Sequence, residues 1–301
     1  MDYETIASLY LRPLADPITP PNVPTTPARR LRDALEPVAT QGWWSREAYD
    51  RYNDLGLGFF DAYVWGRAAS LGTPPAAVVV ATFGVFEPTF LASVYEAGRG
   101  ATSREKILTA REDGASASLR RLLGDEIAVG RVADDLLAAL ANLDCTARPL
   151  YAGLLALPVP SNPHGRLWRA AELVREHRGD GHLAACIAAG LGPVTMTLLT
   201  ELWLGYPAGQ YLSSRGYGPE HQANAMKELQ SRGWISSSGE LTDAGIQARR
   251  EIEQATDESQ DALIGGLGGG LDSIITATST WSERVIDGGS FPTDPRKRAA
   301  G

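Results

Sequence analysis

Cysteine is nearly absent: Cys145 and Cys186 are the only two in 301 residues. That excludes a disulfide framework, and their separation fits no zinc or redox motif, so both are expected as reduced core thiols. Histidine is scarce too, with four residues in no known ligand spacing, and no metal site is expected. Long apolar runs are missing. The longest stretches, 76–81 and 184–191, have core length and fall far short of the roughly 20 residues of a membrane span. The start, Met1-Asp-Tyr-Glu, is acidic where a secretory leader is basic, so the sequence reads as cytoplasmic with no membrane partner.

Basic charge is also short. Twenty-eight Lys and Arg against 36 Asp and Glu leave a net charge of −8, with a pI near 5.1. This sign excludes a protein that grips nucleic acid with its whole surface; any DNA contact would need a local patch. Familiar enzyme signatures are missing as well. There is no Gly-x-Ser-x-Gly elbow, phosphate loop, His-Glu-x-x-His or Cys-x-x-Cys. The run Gly265–Gly270 follows a helical pattern rather than a strand and, counted from Gly266, fails the dinucleotide fingerprint at the sixth position, Leu271; it reads as a flexible hinge, and no cofactor can be named.

What remains is an ordinary globular composition, 44% hydrophobic and 21% charged, with helical periodicity almost throughout. Leu31, Leu35 and Val38 share one face, and Leu108, Ala115, Leu119 and Leu122 share another behind Thr102 and Glu105 in capping-box spacing. The expected fold is mostly α, a multi-helix protein with a C-terminal winged-helix unit and a degenerate internal repeat. Four segments are expected. Residues 1–27 form a proline-rich N-terminal arm, with six prolines in 13–27. Residues 28–160 form a helical N-terminal half, 161–286 a winged-helix-containing C-terminal half, and 287–301 a flexible tail. The repeat would lay Phe59–Arg121 on Val174–Ile235; the plain alternative is that helical bundles look alike at this resolution.

The clearest local signature lies at 207–255. A short helix at 208–214 leads into the turn Arg215-Gly-Tyr-Gly, Pro219 opens a helix to Ser231, a hairpin is expected near Trp234 to Leu241, and Thr242 can cap a final helix. Helix, turn, helix, hairpin, helix is winged-helix order. The stretches Leu229-Gln-Ser-Arg-Gly-Trp-Ile and Leu241-Thr-Asp-Ala-Gly resemble the wing region of MarR-type regulators. Together with Gly66-Arg-Ala-Ala-Ser-Leu-Gly, Leu119-Arg-Arg-Leu-Leu-Gly and Arg175-Glu-His-Arg-Gly-Asp-Gly-His, most of the chain from 28 to about 260 resembles an actinobacterial helix-turn-helix family. The resemblance implies a helical, winged-helix-containing fold and carries no settled activity. Gln222, Asn224 and Lys227 are the candidate DNA contacts. Five Lys or Arg against seven acids in 207–257 give a local charge of −2, which argues against tight phosphate neutralisation.

Two clusters carry candidate chemistry. In Leu167 to Ala185 the helix is expected to stop at Gly179, with Asp180 capping the next, so that His177 sits at a C-terminal end that favours its protonated form and His182 at an N-terminal end that disfavours it. These two would serve as acid and base, oriented by Glu176 or Asp180. The alternative is that these charges simply satisfy a helix joint. In the first third, Phe59, Tyr63, Phe83 and Phe86 would wall an aromatic pocket with Arg67, and the repeat would bring Arg178 to the same cavity; the alternative is an aromatic core. The leading functional reading is a small-molecule-binding protein of winged-helix ancestry that takes an apolar or aromatic ligand and binds DNA weakly. A secondary-metabolism enzyme using His177 and His182, and a ligand-responsive transcription regulator, are the alternatives. A homodimer is expected through the apolar last helix (Leu271, Ile274, Ile275, Trp281, Val285) and the N-terminal arm.

Overall fold

A computed structural model describes residues 2–124 and 127–300. It is mostly helical, and the β pairing among the described residues is one antiparallel bridge between Ile235 and Leu241, where the hairpin was expected. The axis of the molecule is one long helix, Pro163–Ala188. Asn162 caps it by accepting from the Gly165 N–H, and Pro163 occupies the first turn, where a missing N–H costs nothing. Helices Pro27–Ala39, Arg104–Leu123 and Ile127–Leu140 pack on it, and Leu271–Asp287 packs in turn on Pro27–Ala39. They enclose a core that holds Leu35, Leu119, Leu136, Trp168, Leu173 and Trp281, drawn from both sides of residue 160. A second core gathers Trp65, Val79, Tyr95 and Ile107, and a third gathers Leu198, Leu199, Leu229 and Ile252.

The expected helix stop at Gly179 does not occur. The helix continues through Gly179-Asp-Gly181 because both sides of this stretch are held by tertiary partners. Asp180 accepts from the Tyr151 N–H, Arg178 pairs with Glu253 and Asp257, and Gly181 leaves room for Ser259 and Arg148, whose atoms would lie 2.6 and 2.9 Å from a Cβ there. These contacts outweigh a glycine penalty of about 1 kcal/mol per residue in a helix interior.

Other local expectations shift by smaller amounts. Ser103, rather than Thr102, caps the Arg104–Leu123 helix. Cys145 is exposed, so the expected core thiol is Cys186 alone. The 287–301 tail is not loose over its described part: Phe291 is 2% exposed and Pro295–Ala300 forms a helix fixed by Arg296, which bonds Asp294 and the Gly205 carbonyl. The stretches compared as a repeat agree in helical order only, since Pro88–Ala101 has 14 residues where Gln210–Ser213 has 4.

The last long helix turns inward. Ile274, Ile275, Trp281 and Val285 join the chain's own core against Pro27–Ala39, so the face on which the expected homodimer rested is already covered. Light scattering at micromolar concentration is expected to return 32.2 kDa; a value near twice that would require a dimer surface elsewhere.

One close approach sets the geometry of the first half. At Gly114, a Cβ would lie 2.4 Å from the Ala48 Cα and 2.9 Å from its N, backbone atoms that cannot swing aside. Gly114→Ala is therefore expected to cost about 1–3 kcal/mol, read by urea denaturation. An unchanged midpoint would mean that the two helices separate freely.

Candidate functional site

Two adjoining cavities, of about 110 and 140 Å³, lie where the first half, the central helix, the 210–216 segment and the C-terminal helix meet. Tyr63, Arg175, Tyr211 and Arg215 line both, so these four side chains form the partition between them. Trp43, Trp44, Phe59 and Phe60 wall the first cavity; Phe83, Phe86, Met196 and Leu183 wall the second. The aromatic rings support one another, with Phe59 stacked on Tyr63 at 6.5 Å and Trp43 edge-on to Tyr63 at 5.3 Å.

The polar groups follow a pattern visible in sequence only with hindsight. Two Tyr-x-x-x-Arg pairs, Tyr63 with Arg67 and Tyr211 with Arg215, face the cavities from opposite halves of the chain. The i, i+4 spacing places each tyrosine hydroxyl beside its arginine. Arg67 donates to the Tyr63 hydroxyl at 2.8 Å, and Arg215 donates to that of Tyr211. Their electrostatic settings differ. Arg67 is locked onto Glu176 by bonds of 2.8 and 3.0 Å and lies 4.6 Å over the Phe83 ring. Arg175 pairs with Glu176 at 2.7 Å and Glu36 at 3.2 Å. Burial pushes the Glu176 carboxyl up, but Arg67 and Arg175 more than reverse this and hold it below its usual value.

Arg215 has no such carboxylate. Its guanidinium lies between the Phe86 and Tyr211 rings at 4.6 and 4.5 Å, and its Nε is shut off from solvent without a hydrogen-bond partner. Lys297 approaches from the C-terminal helix, with Nζ 5.0 Å from the same Tyr211 ring. Burial, reinforced by Arg215, pulls its ammonium down to about 8. Gly216, at φ +86°, makes the turn after Arg215 and lies so close to Phe90 that a Cβ would meet the ring at 2.9 Å. The Arg215 carbonyl accepts from the Glu87 N–H, and the Tyr217 hydroxyl donates to the Phe86 carbonyl, tying this turn to the first half.

The structure separates the proposed acid and base. Because the helix is continuous, residues 177 and 182 are turned by roughly 140° from each other. His177 is buried against Gln260, its Nδ1 2.8 Å from Oε1, and stands edge-on to Tyr151 at 4.8 Å. His182 reaches the second cavity, but its Nδ1 bonds Thr256 at 3.0 Å and its Nε2 faces Cys186 Sγ at 3.6 Å. With no helix end beside either ring, the expected dipole effects vanish. Burial lowers both, His182 to about 3 with Arg249 adding to the effect. His177, expected to be favoured as a cation, is disfavoured. Glu176 is committed to the two arginines, and Asp180, in the second cavity, is pushed up to about 7 by burial and by Glu176.

Arg178 does not share the cavity with Arg67, as the repeat had suggested. It joins Arg29 and Arg249 in a separate buried cluster around Glu253, at 2.8, 3.1 and 2.6 Å respectively. Phe59, Tyr63, Phe83, Phe86 and Arg67 do come together around the cavities. The members missed in sequence are Tyr211, Arg215 and Lys297, together with the pairing role of Arg175. Among the described residues no three His, Cys, Asp or Glu side chains gather into a possible metal site, and no single helix is long and apolar enough to cross a membrane.

A helix-turn-helix family matches residues 28–292, nearly the whole of the chain. The chain belongs to this helix-turn-helix family. No curated protein and no solved structure matches it. The segment with the corresponding order comprises helices Pro193–Leu204, Gln210–Ser213 and Pro219–Ser231, the Ile235–Leu241 bridge, and helix Asp243–Glu258, which Thr242 caps by accepting from the Gly245 N–H. On the Pro219–Ser231 helix of this family member, Asn224 and Lys227 are exposed, whereas Gln222 is half-buried near Gly209. Of the five basic residues in 207–257, Arg215 faces the cavities and Arg249 is buried on Glu253. Arg232 is tied to Glu228 and the Gly190 carbonyl, so Lys227 and Arg250 are the two that stand exposed without such ties.

Proposed function

We propose that this helix-turn-helix family member, of winged-helix ancestry, binds an aromatic small molecule in the paired cavities at the junction of its halves and acts in the cytoplasm without strong DNA binding. The observation that carries the reading is the partition of Tyr63, Arg175, Tyr211 and Arg215, which gives an aromatic-walled space a few placed polar groups supplied by both halves. The scarcity of free basic residues around Pro219–Ser231 supports the weak-DNA part.

The test is native mass spectrometry of the full chain with 2-naphthamide, a neutral aromatic probe. One bound molecule is expected, and none for Ser214→Trp, which fills the first cavity. No adduct on the native chain, or one that the Trp variant keeps, would sink the reading.

A ligand-responsive regulator is the second reading, and one observation favours it: the cavity wall formed by Tyr211, Ser214 and Arg215 is the segment that leads into Pro219–Ser231. A ligand there would press on the element that carries Asn224 and Lys227. A gel shift at nanomolar protein in physiological salt would replace the first reading with this one. The His177/His182 enzyme reading has no comparable support, because the two rings do not open onto one cavity.

A further inference from the structure

Positive charge is left over at one place in the paired cavities. Four cationic side chains line the two spaces: Arg67, Arg175, Arg215 and Lys297. The first two are matched by Glu176 and Glu36. Arg215 and Lys297 form no ion pair among the described residues, yet both lie over the Tyr211 ring, at 4.5 and 5.0 Å. Two like charges packed against one ring repel each other. The mutual repulsion contributes to the fall of Lys297 to about 8, and the buried, unpartnered Nε of Arg215 adds an unmet donor. Ring faces offset part of this, but a cation–π contact supplies no acceptor for an N–H.

Resting on the reading of the cavities as an aromatic-ligand site, we infer that the ligand carries an acidic group, a carboxylate or similar oxyanion, received by Arg215 and Lys297 while its ring lies among the aromatic side chains of the first cavity. The geometry suits this class. Both cations line the first cavity, along with Trp44, Phe59 and Tyr63, so a rigid aromatic acid can meet rings and charge together. The guanidinium offers a planar fork and the ammonium a point charge, a combination that matches a carboxylate held on one side by a directed pair of bonds. Glu36 lines the same cavity but is already shared by Arg175 at 3.2 Å and Arg32 at 3.3 Å, so it does not neutralise the pair. Asp294 and Glu201, which also act on Lys297, are engaged elsewhere, Asp294 by Arg296 at 3.0 Å and Glu201 by the Gly209 and Leu212 N–H groups at 3.1 and 3.0 Å.

The two cations come from separate parts of the chain: Arg215 from the turn before Pro219–Ser231, Lys297 from the C-terminal helix Pro295–Ala300. An acid bridging them would relieve their repulsion and fasten that helix over the cavity. The binding energy of the acidic group thus acts on two elements from separate parts of the chain.

The experiment compares 2-naphthoate, its neutral isostere 2-naphthamide, and acetate, by calorimetry on the full chain and on Arg215→Met, Arg215→Lys and Lys297→Met, with circular dichroism confirming that each variant is folded. The native chain is expected to bind 2-naphthoate at least about tenfold more tightly than 2-naphthamide, the scale of one charge-assisted hydrogen bond. Both methionine variants should lose that preference, binding naphthoate no more tightly than they bind naphthamide, and Arg215→Lys should recover part of it. Equal affinity of naphthoate and naphthamide for the native chain would overturn the acid inference and leave the aromatic site standing. Acetate binding that depends on Arg215, with no gain from the naphthalene ring, would uphold the anion site and defeat the aromatic reading. Binding of none of the three would overturn both. A naphthoate preference that survives in both methionine variants would mean that other residues read the acid, and would also overturn the inference.

Discussion

Glu253→Gln is expected to destabilise the chain by about 3–5 kcal/mol, the scale for removing one partner of a buried ion pair. Three arginines, Arg29, Arg178 and Arg249, converge on this one carboxylate, and it is 3% exposed. Burial raises its pKa, and the arginines override that by a wide margin, leaving it well below the usual range. Glutamine keeps the shape but leaves the cations in a low-dielectric interior with Asp257 and Asp33 as their remaining acids. Glu251→Gln, exposed on the same helix, is the control and should stay within about 0.5 kcal/mol. Chemical denaturation of both variants measures the difference; a loss at Glu253 no larger than the control would show that the cluster is not closed to solvent.

The second large effect has the opposite sign and depends on pH. Asp180 is buried, makes no ion pair among the described residues, and is raised from 3.8 to about 7, chiefly by burial and then by Glu176. A carboxyl whose folded pKa exceeds its unfolded one binds more protons in the folded state between those values. Stability from this group is therefore lost as pH rises from about 4 to about 7, and the loss is complete above that. Asp180→Asn cannot ionise and can still accept from the Tyr151 N–H, so it should be more stable than the native chain at pH 8 by on the order of 4 kcal/mol and nearly equal to it at pH 4. Thermal melts at the two pH values decide this. A variant less stable at pH 8 would show that the ionised carboxylate is a stabilising partner there.

Much of the helical order was legible because it is written in periodicity and caps. Thr242 before Asp243 and Pro219 at a helix start each act within one turn of chain, and the structure honours both. The misreadings arose where distant partners decide. Gly179-Asp-Gly181 has the local form of a helix break, yet Tyr151, Glu253 and Asp257 hold it helical from outside. The acid and base proposed for His177 and His182 depended on that break.

The site was half legible. Phe59, Tyr63 and Arg67 share one helix, and Phe83 and Phe86 follow close behind in sequence, so an aromatic cluster with one arginine could be read directly. In sequence Arg215 is a turn residue before Pro219, and Lys297 belongs to the segment expected as a flexible tail. Only the folded chain shows both beside Tyr211. Tyr-x-x-x-Arg at 63 and 67 and again at 211 and 215 was the available signal, since the i, i+4 spacing sets an aromatic ring beside a guanidinium, but the same spacing at Tyr95 and Arg99 leaves the arginine exposed on Glu96, so the motif alone does not mark the cavity.

The account rests on occupancy of the paired cavities, and a crystal structure of the full chain at saturating 2-naphthoate tests this most directly. The prediction is a single molecule with its ring among Trp44, Phe59 and Tyr63 and its carboxylate bonded to Arg215 and Lys297. Cavities that hold only water at that saturation, or a probe bound elsewhere on the surface, would contradict it.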